Sequence, residues 1–230
     1  MRFRHSSDLW RDFPELVPGV LVAEGVTADA SVDIQVARFN AIAESRLASA
    51  TESELPEIQA WRRAFSKMGL KPTQYRCASE SLLRRFRKER ALPRIHPLID
   101  LCNAISLAFA IPVAVFDLTE IEQYLEVRYA RGDERYLAFS GEIEHPEAGE
   151  VIFADAAGQA HARRWTNRQS SRSAVRDTTS RILIVAEALH DTAPADIANL
   201  TTAIAAALSN VWSATPRTAI LSQPSPEFEF

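Results

Sequence analysis

Glycine is scarce in this chain, seven residues in 230, and none is arranged as a phosphate-cradling loop or as the G-x-G-x-x-G turn that follows a strand in dinucleotide-binding folds. Nucleotide-driven chemistry therefore has no motif to rest on, and neither ATP nor a cofactor is expected. Cysteine is scarcer still: Cys77 and Cys102 are too few for a disulfide framework, lack metal-type spacing, and read as small buried hydrophobes. The five histidines, at 5, 96, 145, 161 and 190, show none of the helical two-histidine spacings that hold zinc, so no metal is expected. No G-x-S-x-G nucleophile elbow is present. Long apolar runs are also missing. The longest, Leu107 to Phe116, is too short to span a bilayer and is interrupted by Pro112, while the opening MRFRHSSDLW has no signal-like apolar core. These absences lead to the expectation of a soluble cytoplasmic protein with no membrane partner.

What the chain does have is core-forming material. Hydrophobic residues make up 47% of it, enough for one large domain. The net charge of −4 argues against a uniformly basic nucleic-acid binder, yet the positive charge is clustered. Residues 84–94 carry Arg84, Arg85, Arg87, Lys88, Arg90 and Arg94 against Glu89 alone. Residues 163–181 carry Arg163, Arg164, Arg168, Arg172, Arg176 and Arg181 against Asp177 alone. Together they hold twelve of the 26 Lys and Arg residues, which would form a basic face if the two windows adjoin; the competing reading is two ordinary solvated faces.

The periodicity predicts a short buried strand at Val20–Ala23 and a helix over Ile34–Ala48. A second helix, Ser53 to Met68, is capped by Ser53 and places Ile58, Trp61, Phe65 and Met68 on one face, with Gly69 as its stop. A third spans Ser79–Arg90 with Leu82, Leu83 and Phe86 inward, and a fourth starts at Pro97 with a core stripe from Leu98 to Phe109. After Pro112 short strands follow: Val113–Phe116, Leu125–Tyr129, Tyr136–Phe139, Val151–Ala154 and Ile182–Ala186. The last lacks alternation, as a strand covered on both faces does. A helix over Ala195–Val211 closes the fold, and the proline-broken segment after it is expected to be extended or frayed. The plan is α+β, a mixed β-sheet flanked by helices. Residues 1–70 read as a strand and helical extension on the core, 71–215 as the main domain, and 216–230 as a tail.

The stretch Pro97–Leu118 sets Asp100, Asn103 and Asp117 in otherwise apolar sequence. A polar group withdrawn from water costs several kcal/mol unless bonded, so these residues either staple the fold or line a site. Asp100, Asp117 and Asp155 stand where turns favour aspartate in any case. Asn103, at a helix edge, suits an internal bond and a ligand contact equally.

Five segments in order, SESLLRRFRK (79–88), PLIDLCNAISLAFAIPVAVFD (97–117), LEVRYARGDERYLAFSGE (125–142), GEVIFADAAGQAHARRWTNRQ (149–169) and VRDTTSRILIVAEAL (175–189), make the chain resemble the free-standing form of the B-three/B-four domain, the tRNA-editing region of the phenylalanyl-tRNA synthetase beta subunit. The resemblance implies a mixed sheet flanked by helices with a pocket between them, in a domain that hydrolyses tyrosine wrongly esterified to tRNA. It covers roughly residues 70–190 and includes no aminoacylating domain. The sequence departs from the synthetase pattern at three places. Ala114 replaces a histidine, Val185 replaces a glutamate that reads the tyrosine hydroxyl, with Glu187 two residues on, and RRWTNRQ replaces a double-glycine loop.

The resemblance makes the aminoacylated 3′ end of tRNA the expected partner. Asn103, Asp117, Thr179 and Glu187 are the candidates for catalysis. Arg84, Arg85, Arg87, Lys88, Arg163, Arg164, Trp165, Asn167 and Arg168 are the candidates for holding tRNA. An Arg/Trp/Asn cluster has little packing rationale, and an exposed Trp165 would offer a base its face and its neighbours would offer phosphate their charge. Three readings follow: a trans-editing hydrolase, an RNA-binding module without hydrolysis, and a sensor of a free amino acid.

Overall fold

The computed structural model describes residues 1–230. Two large sheets are stacked face to face, and six α-helices and a short hairpin complete the fold. The first sheet has the order β12-β1-β4-β7-β8-β9, from β1 (Arg2–His5), β4 (Tyr124–Tyr129), β7 (Val151–Asp155), β8 (Ala160–Arg163), β9 (Arg168–Gln169) and β12 (Glu227–Glu229). It is mixed, because β1 runs parallel to β4 while the other pairs are antiparallel. The second has the order β11-β2-β10-β3, from β2 (Val17–Glu24), β3 (Val113–Asp117), β10 (Arg181–Ala188) and β11 (Arg217–Ile220), and is antiparallel throughout. A hairpin of β5 (Tyr136–Leu137) and β6 (Ile143–Glu144) packs on the first sheet through Tyr136 and Ala138.

Strand β10 shows how the layers are written into the chain. Side chains alternate across a strand. Leu183 and Val185 face the first sheet, in a core shared with Phe3, Phe116, Val127 and Phe153. Ile182, Ile184 and Ala186 face the opposite way, into a second core built with α5 (Pro97–Phe109) and α6 (Ala193–Trp212). The absence of alternation in hydrophobicity is therefore the mark of a doubly covered strand. Glu187, two residues beyond Val185, falls on the inter-sheet face by the same rule. On the outer layer α6 lies so close to β2 that a Cβ on Gly19 would meet Thr201 Oγ1 at 2.6 Å and Ile197 Cγ2 at 2.8 Å. Only glycine lets this helix sit down on the sheet.

The remaining helices are α1 (Ser7–Asp12), α2 (Asp33–Ser49), α3 (Pro56–Lys67) and α4 (Ala78–Glu89). The predicted Ser53 cap for the second helix does not hold. Thr51 forms a capping box with Glu54 around a short 3₁₀ turn, and α3 starts afterwards with Pro56 in its first turn. The segment after α6 is extended as expected but is not frayed, since β11 pairs with β2 and β12 with β1. No helix is long and apolar enough to cross a membrane.

Candidate functional site

Between the two sheets, where β3 begins and β10 ends, lies a cavity of about 70 Å³. The chain leaves α5 through Ala110 in the left-handed conformation, tied by Ser106 Oγ donating to Ile111 O at 2.6 Å, and Pro112, Val113 and Ala114 then form one wall. Val185, directly opposite Ala114 in the ladder, continues that wall, and Phe153 and Ala162 of the first sheet face it. The lid is the β8–β9 connection, with Trp165, Thr166, Asn167, Arg168 and Gln169, together with Ala78 at the start of α4.

The connection takes an uncommon path. Arg164 (φ 47°) and Trp165 (φ 55°) are successive left-handed residues, each costing about 1–2 kcal/mol for a side chain with a Cβ. The conformation is held by Arg164 N donating to Glu150 Oε1 at 2.9 Å and Trp165 N donating to Val151 O at 2.7 Å. Its result is to turn the Trp165 indole inward, edge-on to Phe13 and Trp61 with ring centroids 4.9 and 5.0 Å away.

One carboxylate reaches the cavity. Glu187 is 2% exposed, and both hydrogen bonds to its carboxylate fall on one oxygen: His5 Nε2 at 2.6 Å and Trp165 Nε1 at 3.0 Å share Oε1. Oε2 has no protein partner. Trp61 Nε1 fixes the backbone by donating to Glu187 O at 3.2 Å. A second unpaired polar atom lines the same space, Thr166 Oγ1, buried without a hydrogen-bond partner. Cys77, just before α4, contributes no nucleophile, because burial pushes its thiol up to about 11.

The B3/4 domain model matches residues 60–206, close to two thirds of the chain. The chain belongs to the B3/4 domain family. Among solved structures, an N-terminal fragment of the phenylalanyl-tRNA synthetase beta-subunit from Pyrococcus horikoshii superposes with a TM-score of 0.49 at 10% identity, covering 94% of this chain and 50% of that one. The chain thus spans about half the length of that fragment. No curated protein matches it.

Of the four residues considered for catalysis, only Glu187 enters the B3/4 cavity. Asp117 and Thr179 do come together, with Thr179 Oγ1 donating to Asp117 Oδ2 at 2.5 Å, but at the far end of β3. Asp117 lies opposite Ile182 and Ala114 opposite Val185, a separation of about 10 Å along the strand. There Asp117 Oδ1 also accepts from Thr119 N and Oγ1, at 2.9 and 2.6 Å, capping the turn after β3. Asn103 faces a different groove, beside Asn40, Arg94 and Asp100. Asp100 accepts from Ile95 N at 2.9 Å and holds the loop before α5. Asp155 is bound by Ala157 N, Gln159 N, Glu122 N and His161 Nε2. Burial acts to raise its pKa, but these hydrogen bonds, that of His161 foremost, hold it below the usual range.

The exposed Arg/Trp/Asn cluster expected for tRNA does not form as such. Trp165 is 0% exposed, and its packing rationale is the aromatic contact with Phe13 and Trp61, residues too distant along the chain to be paired with it by spacing. Arg163 is buried between Glu150 and Glu144, and its already high pKa is raised further, mainly by the bond to Glu150. Arg168 forms a two-pronged pair with Glu144 at 3.0 Å on each oxygen. Arg164 lies over the Tyr75 ring at 4.9 Å, and Asn167 Nδ2 donates to Arg76 O at 2.8 Å. On α4, Arg84 and Arg87 both hold the buried Glu52 and Arg85 pairs with Glu89, while Lys88 is left without a carboxylate partner. Most of the expected basic face is spent on internal pairs. Thr166 was missed, although it sits inside RRWTNRQ; a threonine between Trp165 and Asn167 gives no signal of its own until the loop is folded.

Proposed function

We propose that this B3/4 protein binds the aminoacylated 3′ end of tRNA and hydrolyses, in trans, the ester of a mischarged amino acid with a small side chain. The observation that carries the reading is the free Oε2 of Glu187, the one carboxylate in a cavity between the sheets whose walls are apolar and whose lid is polar. A carboxylate oxygen there is matched by an ammonium group, which every aminoacyl ester presents beside its carbonyl.

Size sets the substrate class. An apolar cavity of roughly 150 Å³ accommodates benzene, and this one, at about 70 Å³, suits an aliphatic side chain rather than a tyrosyl ring. In the synthetase pattern a glutamate that reads the tyrosine hydroxyl stands where this chain has Val185, so the polar partner of a tyrosyl substrate is absent at that position. With the ammonium on Glu187, the carbonyl oxygen lies towards Thr166, whose unpaired hydroxyl donates to the oxyanion as it develops. Water attacks the carbonyl carbon and the C–O bond to the ribose breaks. The proton lost by the water passes, through the neighbouring ribose hydroxyl, to the departing oxygen. An activated ester needs no stronger base, and holding the water in place supplies much of the acceleration.

A specific observation favours a second reading, a sensor of a free amino acid. Pairing of Arg84, Arg87, Arg163 and Arg168 with glutamates offsets much of the positive charge that a phosphate would meet. Ester loss from a panel of mischarged tRNAs separates the two. Hydrolysis of a small aminoacyl ester supports editing, whereas salt-insensitive binding of the free amino acid with no ester loss supports the sensor.

A further inference from the structure

Three residues from three segments of the fold meet where β10 hands over to α6. Glu57 of α3, His190 in the connection and Asp196 in the first turn of α6 each bring one potential ligand atom to within 4.8 Å of the others. His190 Nε2 and Asp196 Oδ2 are 2.8 Å apart. Glu57 is 7% exposed and His190 is 5% exposed, and Glu57 Oε2 and His190 Nδ1 are buried with no hydrogen-bond partner. Such groups carry a large desolvation cost when nothing satisfies them.

The surroundings orient the cluster without completing it. Arg46 donates to Glu57 Oε1 at 2.6 Å and to Ala108 O at 3.0 Å, which fixes one oxygen of Glu57 and leaves the other. Thr192 Oγ1 donates to Asp196 Oδ2 at 2.6 Å. These are the outer contacts that hold ligating side chains in place. Arg46 pairs with Glu57, and no arginine or lysine pairs with Asp196. The Asp196 side chain, 32% exposed, opens the cluster to solvent, so an ion has an entry path and room for water ligands.

We infer that Glu57, His190 and Asp196 form a binding site for a divalent transition-metal ion of the zinc type. One imidazole nitrogen with two carboxylate oxygens suits such an ion better than magnesium or calcium, which prefer oxygen alone. Zinc bonds of about 2.0–2.2 Å to these atoms require them to stand roughly 3.3 Å apart, so the widest separation closes by rotation of side chains about their χ angles. No two-histidine spacing announces the site, because its ligands come from two helices and the connection between β10 and α6. The inference is independent of the proposed hydrolysis, but it bears on the cavity. Occupancy would clamp α3 to the end of β10, three residues after Glu187 and beside the Trp61 bond to that residue.

The test is isothermal titration of ZnCl₂ into the full chain stripped of metal, with MgCl₂ as the comparison. One zinc ion per chain should bind at micromolar concentration, magnesium should not, and the melting temperature should rise with zinc. His190→Gln and Asp196→Asn should each abolish both effects, and Thr192→Val, outside the ligand set, should weaken binding by about 10-fold. Circular dichroism identifies which variants remain folded, and Asp196→Asn, at a half-exposed position, serves if His190→Gln unfolds. Absence of saturable zinc binding to the wild type overturns the inference, as does binding that persists undiminished in the folded variants.

Discussion

Glu187→Gln separates the chemistry of the cavity from its architecture. The amide keeps an oxygen where Oε1 accepts from His5 Nε2 and Trp165 Nε1, and it replaces the unpaired Oε2 with an NH₂ of nearly the same size. Both internal bonds survive, so stability should change by less than about 1 kcal/mol, the net worth of one hydrogen bond. The cavity, by contrast, loses its only carboxylate and presents a donor to the ammonium of the substrate. A hydrogen bond to a charged group contributes about 1.5–3 kcal/mol, so kcat/KM for ester hydrolysis should fall roughly 10- to 150-fold. The assay is loss of labelled amino acid from mischarged tRNA by wild type and variant, with urea melts run in parallel. Hydrolysis within twofold of wild type would refute the reasoning, because Glu187 would then not touch the substrate. So would a stability loss of several kcal/mol, which would mean that the Glu187 carboxylate serves the fold rather than a ligand.

Trp165→Ala should cost about 3–5 kcal/mol in chemical denaturation, as truncating a fully buried aromatic does, whereas a surface stacking platform would cost almost nothing. Arg168→Glu should lower stability by about 1–3 kcal/mol, because it sets like charge against Glu144, while Arg85→Glu, at an exposed pair with Glu89, should change it by less than about 1 kcal/mol; equal effects would contradict the structural role of Arg168. Asp155→Asn tests a pH dependence. The folded carboxylate titrates below its unfolded value, so its contribution is fully present above about pH 4 and is lost as pH falls through the depressed folded pKa. Wild type should therefore exceed the variant by about 1–3 kcal/mol at pH 7, with the gap closing towards pH 2; a gap that stays constant would show that the charge on Asp155 is not what matters.

The legible parts of the fold were those with a period. The α5 stripe, the doubly buried β10 and the helix–strand passage through Pro112 all appear where the spacing of apolar residues predicts them. Short strands at either end of the chain were not legible: RFRH and EFE alternate over too few residues to be told from loops, and only their pairing, with each other and of β1 with β4, reveals them. The site divides along the same line. Glu187 follows from strand alternation beyond Val185, one carboxylate on an apolar face. Asp117 stood out as a polar group in apolar sequence and Thr179 as a candidate for catalysis, but what the structure gives them is a bond to each other and to the adjoining turns. Arginine windows could not be resolved at all, since Glu52, Glu144 and Glu150 lie distant in sequence from the residues they neutralise.

The central claim is that the cavity beside Glu187 hydrolyses a small aminoacyl ester. Initial rates of deacylation should be measured for one tRNA charged in turn with alanine, serine, valine, phenylalanine and tyrosine. The account predicts acceleration for one or more of the small esters, none for phenylalanine or tyrosine, and loss of that acceleration in Glu187→Gln. Fastest hydrolysis of the tyrosyl ester, or no acceleration for any ester, would contradict it.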